Sequence, residues 1–285
     1  MTKSGGKLTV AGSLATAPAP LESSIRIVMM MNRKPLILIS NDDGYQAVGI
    51  RALVDMVRDM GEVVVCAPES ARSGFSRAFS AEAPLRLRRR HNMGDVVVWS
   101  CSGTPVDCIK LAVSKLCDGR VPDLVLGGIN HGDNSTVNCH YSGTMGVAIE
   151  GCLKGIPSVA FSNCDYDTEA SQEHLRHYVR RVVRRVLTDG LPDGVCLNVN
   201  FPNRKQFEGI RACRMTRGQW VNEVVQERHP RGYDYYWMVG EYRNDEPDAP
   251  DTDQWAINHG YVAITPTTID VTAYAMIDTL NNWNL

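Results

Sequence analysis

Two carboxylates stand side by side where an apolar run ends. In LILISNDDGYQAVGI, Leu36 to Ile50, the pair Asp42 and Asp43 follows the run Leu36–Ser40 almost directly. Adjacent like charges repel, and a strand would turn them to opposite faces. Past the strand end, with Gly44 freeing the turn, both can swing toward one cation whose charge relieves the repulsion. A hydroxyl from Ser73 in RSG and an amide oxygen from Asn130 in GGINHGDN complete an all-oxygen donor set. Such a set suits Mg²⁺, Mn²⁺ or Ca²⁺ better than zinc, which favours nitrogen and sulfur. Asp42, Asp43, Ser73 and Asn130 are the candidate metal ligands, and Asp42, Asp43 and Asn130 the candidate catalytic residues.

A second stretch, YSGT at 141–144, opens a helix. Free backbone N–H groups and the positive end of a helix dipole suit a phosphate, and hydroxyls can add donors. Gly44, Ser142, Gly143 and Thr144 are therefore candidate phosphate-binding residues. Each motif alone has a plainer reading: DDG as a solvated turn, Ser73 as a turn residue, Asn130 as a loop cap, SGT as an N-cap. Their common position after strands is what argues for chemistry.

The elements that must position these residues follow from the periodicity. Apolar runs at Leu36–Ser40, EVVVCA (62–67), DVVVWSCS, PDLVLGGIN, IPSVAFS and GVCLNVNFP read as strands, most of them buried on both faces. Helices fall between them. Ile50, Leu53, Val54, Val57 and Met60 share one face, with Gly61 placed as a C-cap. Thr104 and Pro105 begin the next helix as N-cap and first helical residue. Leu175, Tyr178, Val179, Val182 and Val186 mark a later one. Alternation of this kind predicts an α/β fold: a three-layer, doubly wound, mainly parallel, Rossmann-like sheet. Ligands then gather outside the carboxyl ends of the strands, where SNDDG, RSG, SGTP, GGINHGDN and YSGT would converge.

Three segments are expected: 1–33, a disordered extension or misplaced start; 34–202, the α/β catalytic core; and 203–285, a β-rich oligomerisation arm. Thr272–Leu285 would close that arm as a helix. The first segment has small residues and a broken apolar stretch, and Met29–Met31 offer alternative starts.

With 30 basic and 32 acidic residues among 285, bulk charge does not point to nucleic acid. No apolar run approaches a membrane span. Nine cysteines form no CxxC pair, so they read as free thiols of a reducing compartment rather than a disulfide framework or zinc knuckle. LRLRRRH (85–91) reads as a solvated strand edge, Arg176, Arg180, Arg181, Arg184 and Arg185 as the wet face of a helix, and His174 and His177 as surface residues.

SNDDG…GI, APE…RSG, GTPVDC, GGIN.GDN, YSGTMG.A.EG, PRG..YYW and GYVAITP…D.TA occur in order from about Pro35 to the C-terminus. In these the chain strongly resembles the SurE family, stationary-phase survival proteins that act as metal-dependent 5′-nucleotidases. The resemblance places the family's metal ligands on Asp42, Asp43, Ser73 and Asn130. It implies a cytoplasmic phosphatase of nucleoside monophosphates, broad in substrate, with one Mg²⁺ or Mn²⁺ per subunit, forming homodimers or homotetramers through the C-terminal arm. Two departures border the site: Val48 stands where the family commonly has Pro, and the segment after GIN reads HGDNSTVNCHYSGT.

The expected reaction is metal-assisted hydrolysis of a phosphomonoester, by water or through an aspartyl-phosphate on one aspartate, with Asp42 the better placed. Donors near Asn130 and Ser142–Thr144 would steady the phosphate oxygens. A non-catalytic nucleotide- or phosphate-sensing module is the alternative from another class.

Overall fold

The computed structural model describes residues 33–283. In chain order the core runs β1 (Leu36–Ser40), α1 (Val48–Val57), β2 (Glu62–Pro68), β3 (Leu87–Arg89), β4 (Val97–Cys101), α2 (Pro105–Lys115), β5 (Leu124–His131), α3 (Gly143–Leu153), β6 (Ser158–Asn163), α4 (Arg176–Asp189) and β7 (Val195–Phe201). Then follow β8 (Gly209–Ala212), β9 (Gly218–Val221), β10 (Val224–Arg228), β11 (Asp234–Met238), β12 (Glu241–Asn244), α5 (Asp253–Asn258), β13 (Tyr261–Thr268) and a short α6 (Ile277–Asn281). Nine strands form one sheet in the order β3-β4-β2-β1-β5-β6-β7-β13-β8. The six from β4 to β7 are mutually parallel, while β3 and β13 run antiparallel to β4 and β7.

Strand periodicity divides the core. Ile37, Ile39 and Val65 point to one face, where Ile50, Leu53, Val54 and Val57 of α1 and Val179, Val182, Val183 and Val186 of α4 cover them. Leu36, Leu38, Val64 and Cys66 point to the other, under Ile109 and Ala112 of α2 and Val147 of α3. Both faces of β1 are thus covered, and it is buried along its whole length. The expected three-layer, mainly parallel architecture is present. Thr104 caps α2 through a capping box with Asp107, and Pro105 takes the first turn.

Several expectations change. Gly61 is no C-cap: Arg58 ends α1, and Gly61 instead lies where a Cβ would come 2.4 Å from the Pro35 carbonyl oxygen. Arg176 and Arg180 are not merely solvated, because they bond Asp55 of α1 and Asp59 in the turn just after it, and so tie α4 to α1. The stretch after Pro202 is not a separate lobe. β8 and β13 extend the main sheet, and Lys34–Leu285 forms one unit. The excursion narrows to two ribbons, β9 with β12 and β10 with β11. The closing helix is only a 3₁₀ turn at Tyr274–Met276 followed by α6, and its apolar side chains lie exposed. The anticipated N-terminal extension falls, except for Arg33, outside the described residues.

Candidate active site

The helices after β1 and β5 leave to opposite faces, α1 to one and α3 to the other. Between these two adjacent strands the chain therefore opens a crevice at its topological switch point. The paired aspartates stand at one lip and Asn130 at the other.

The turn after β1 is clamped by Asn41. Its Nδ2 donates to the Gly44 carbonyl at 3.0 Å, and its Oδ1 accepts from the Gly44 N–H at 3.2 Å. Gly44 sits at φ +102°, where any side chain would be strained. The Tyr45 N–H then donates to the Pro68 carbonyl at 3.0 Å, fixing the turn to β2.

Asp42 is 3% exposed. Its Oδ1 accepts from the Thr144 hydroxyl at 2.5 Å, and the Gly143 N–H also donates to the carboxylate. Burial, and secondly the charge of Asp43, push its carboxyl up to about 6 against these donors. A dication would favour the ionised form of Asp42. Asp43 keeps Oδ2 buried without a hydrogen-bond partner, and the nearest nitrogen of His131, Nδ1, lies 3.5 Å away. A desolvated carboxylate oxygen left alone is costly, and either a cation or a hydrogen-bond donor relieves it.

Asn130 donates through Nδ2 to the His131 carbonyl at 3.2 Å and the Gly132 carbonyl at 3.0 Å. Its amide N–H groups are thereby used by the backbone, so the expected donor to phosphate is not available. What Asn130 has left for a ligand is Oδ1. Ser73 is exposed in the loop after β2. Its neighbour Arg72 pins that loop to the aspartates, donating its N–H to the Asp42 carbonyl at 2.6 Å and a guanidinium N–H to the Ser102 carbonyl at 3.2 Å.

The start of α3 meets Asp42 directly. Ser142 caps the helix, its Oγ accepting from the Met145 N–H at 3.0 Å. A Cβ on Gly143 would lie 2.7 Å from the Asp42 Cβ, so only glycine allows the approach. The Thr144 hydroxyl and the Gly143 N–H, expected to hold phosphate, are thus engaged by Asp42, while the Ser142 hydroxyl proton is still free to donate. The loop after β2 closes over this start, with the Ser76 N–H bonded to the Tyr141 carbonyl at 3.1 Å.

All five polar clusters meet at this rim. Asn41 and His131 were not singled out in the sequence. Asn41 has a local signal, an Asx side chain three residues before a turn glycine. His131 has none beyond its place after Asn130.

A family model described as Survival protein SurE matches residues 37–222. The chain belongs to the SurE family. The matched span contains Asp42, Asp43, Ser73, Asn130 and the Ser142–Thr144 helix start. The 5′-nucleotidase SurE of Phocaeicola vulgatus is 53% identical over 256 residues, covering 90% of this chain and 99% of that protein. The SurE protein of the same description from Bacteroides thetaiotaomicron is 48% identical over 254 residues, 89% of this chain and 98% of its own. The crystal structure of the SurE protein from Aquifex aeolicus matches with a TM-score of 0.76 at 34% identity, covering 87% of this chain and 98% of that one.

Proposed function

We propose that this chain is a metal-dependent phosphomonoester hydrolase, a 5′-nucleotidase that converts nucleoside 5′-monophosphates to nucleoside and phosphate and accepts a range of bases. One Mg²⁺ or Mn²⁺ per subunit is its cofactor. The observation that carries the reading is the adjacent pair Asp42–Asp43 at the switch point of the sheet, with Asn130 on the neighbouring strand, its Nδ2 taken up by backbone carbonyls and its Oδ1 left for a ligand. The 53% identity to a protein named 5′-nucleotidase supports the same reading.

The residues divide the work by their geometry. Asp42, Asp43, Asn130 and Ser73 would hold the cation by oxygen, and the cation supplies charge neutralisation for the phosphate and acidity for water. Thr144 and Gly143 fix the Asp42 carboxylate, so that its orientation costs nothing when substrate arrives. The Ser142 hydroxyl is the donor left at the helix start for a phosphate oxygen. Beside the turn, a cavity of about 960 Å³ lined by Tyr45, Arg51, Arg89, Arg90 and His91 attracts anions toward this rim.

Self-association through the excursion belongs to the same reading. Tyr236, Trp237 and Met238 on β11 and Ile277, Leu280 and Trp283 at the C-terminal end are exposed, more apolar surface than a monomer leaves in water. A homodimer or homotetramer would cover it, and the cytoplasm is the compartment that suits nine free thiols. Among the described residues no helix is long and apolar enough to cross a membrane.

Phosphate release from AMP, other nucleoside 5′-monophosphates, 3′-AMP and an aryl phosphate tests the proposal. With Mn²⁺ or Mg²⁺, release from 5′-monophosphates is expected to exceed that from 3′-AMP, and EDTA should abolish it. No metal-dependent release from any phosphomonoester would leave a binding module and refute the enzyme.

A further inference from the structure

We infer that His131 is a positioning residue for Asp43, its Nδ1–H holding one carboxylate oxygen so that the other faces a divalent cation. The inference rests on the reading of Asp43 as a metal ligand and adds a residue to which no role has been given. His131 ends β5, and its backbone is paired with Asn163 of β6. The imidazole is 4% exposed, with Nδ1 3.5 Å from Asp43 Oδ2. Neither that oxygen nor His131 Nε2 has a hydrogen-bond partner among the described residues.

Buried polar groups without partners are rare, and the orphaned Asp43 Oδ2 has His131 Nδ1 3.5 Å away as a nearby nitrogen to pair with. The gap exceeds the range of an N–H···O bond, so a small rotation of Asp43 closes it. The imidazole itself has little room to retreat. Gly49, near the start of α1, lies over it, and a Cβ there would come 3.4 Å from His131 Cε1 and 1.9 Å from the Ile129 carbonyl oxygen. Helix α1 and strand β5 thus approach closely beside the ring.

Two other roles fit less well. A histidine that merely fills the core would bond at least one nitrogen to the backbone. A histidine that ligated the ion would add a nitrogen to an otherwise all-oxygen donor set, which a hard cation such as Mg²⁺ or Mn²⁺ favours less. A histidine donating to a ligating carboxylate, by contrast, orients the ligand and raises its affinity for metal. The residue lies in the HGDNSTVNCHYSGT segment, where this chain departs from the usual family sequence.

Calorimetric Mn²⁺ titration of the full chain, with no substrate present, reads the effect apart from turnover. His131→Asn keeps a donor near the Nδ1 position, His131→Gln moves it toward Nε2, and His131→Phe removes it. Relative to wild type, Phe and Gln should weaken Mn²⁺ binding by about tenfold or more, and Asn by only about threefold or less. Metal-free melting curves check folding, and Gln serves as the loss variant if Phe does not fold. Native affinity in the folded Phe or Gln variant overturns the role, as does an Asn variant as weak as Phe. Asp43→Asn separates the two layers. If it weakens binding while the histidine variants do not, only the role of His131 falls; if it too binds normally, the ligand reading falls with it.

Discussion

Asp42 carries a charge that the folded chain disfavours until something neutralises it. Its carboxyl is raised from the ordinary value of 3.8 to about 6, mainly by burial. A group raised on folding stabilises the fold fully below its unfolded value and loses that contribution as pH rises through the folded one. In EDTA, the metal-free wild type should therefore lose stability relative to Asp42→Asn as pH rises from about 4 to about 7, by on the order of 3 kcal/mol. Thermal unfolding of both proteins across that range checks the sign, and a constant difference would contradict it. Asn130→Asp acts through different atoms. It turns an oxygen toward the His131 and Gly132 carbonyls that now accept from Nδ2, and should destabilise the metal-free protein by about 1–3 kcal/mol. Melting with and without metal measures it.

At the level of elements, the site depends on how closely α3 approaches β1. Gly143→Ala would place a methyl 2.7 Å from the Asp42 Cβ, and the carboxylate or the helix must shift. Misplacement near 1 Å can cost on the order of 10²-fold in rate, so kcat/KM should fall by about that factor while the fold persists. Near-native kcat/KM would show that the Asp42–helix contact is not needed. The elements themselves were largely readable in the sequence. Strands buried on both faces announce themselves as unbroken apolar runs, and Thr104-Pro105 marks a helix start by local chemistry alone. What was hidden depends on tertiary approach. Gly61 reads locally as a cap but is required by the Pro35 carbonyl above it. The Thr144 hydroxyl reads as a phosphate donor until its distance to Asp42 is known. The imidazole of His131 acquires meaning only when β5 lies beside β1.

Across the whole molecule, the proposed ligands lie in the core and the exposed apolar ribbon in the excursion. The sequence pattern marked a change of texture after Pro202 correctly but placed a boundary where the sheet has none, since β13 pairs with β7 along six residues. Removal of everything after Pro202 would therefore strip the main sheet. Deleting only the β10–β11 hairpin, Val224–Met238, is the cleaner test of assembly. Sedimentation should then show a smaller species than the full chain, with metal binding retained, because the hairpin supplies none of the proposed ligands. A soluble assembly with an unchanged number of subunits would contradict the role of the hairpin.

One ion held between β1 and β5 is the centre of the proposed chemistry. Calorimetric titration of Mn²⁺ into wild type and Asp43→Asn tests it most directly. Wild type should take up one ion per chain, and the variant should bind on the order of tenfold or more weakly, since it keeps the ligand oxygen but loses a charge. Unchanged affinity in Asp43→Asn, or no Mn²⁺ binding by the wild type, would contradict the site.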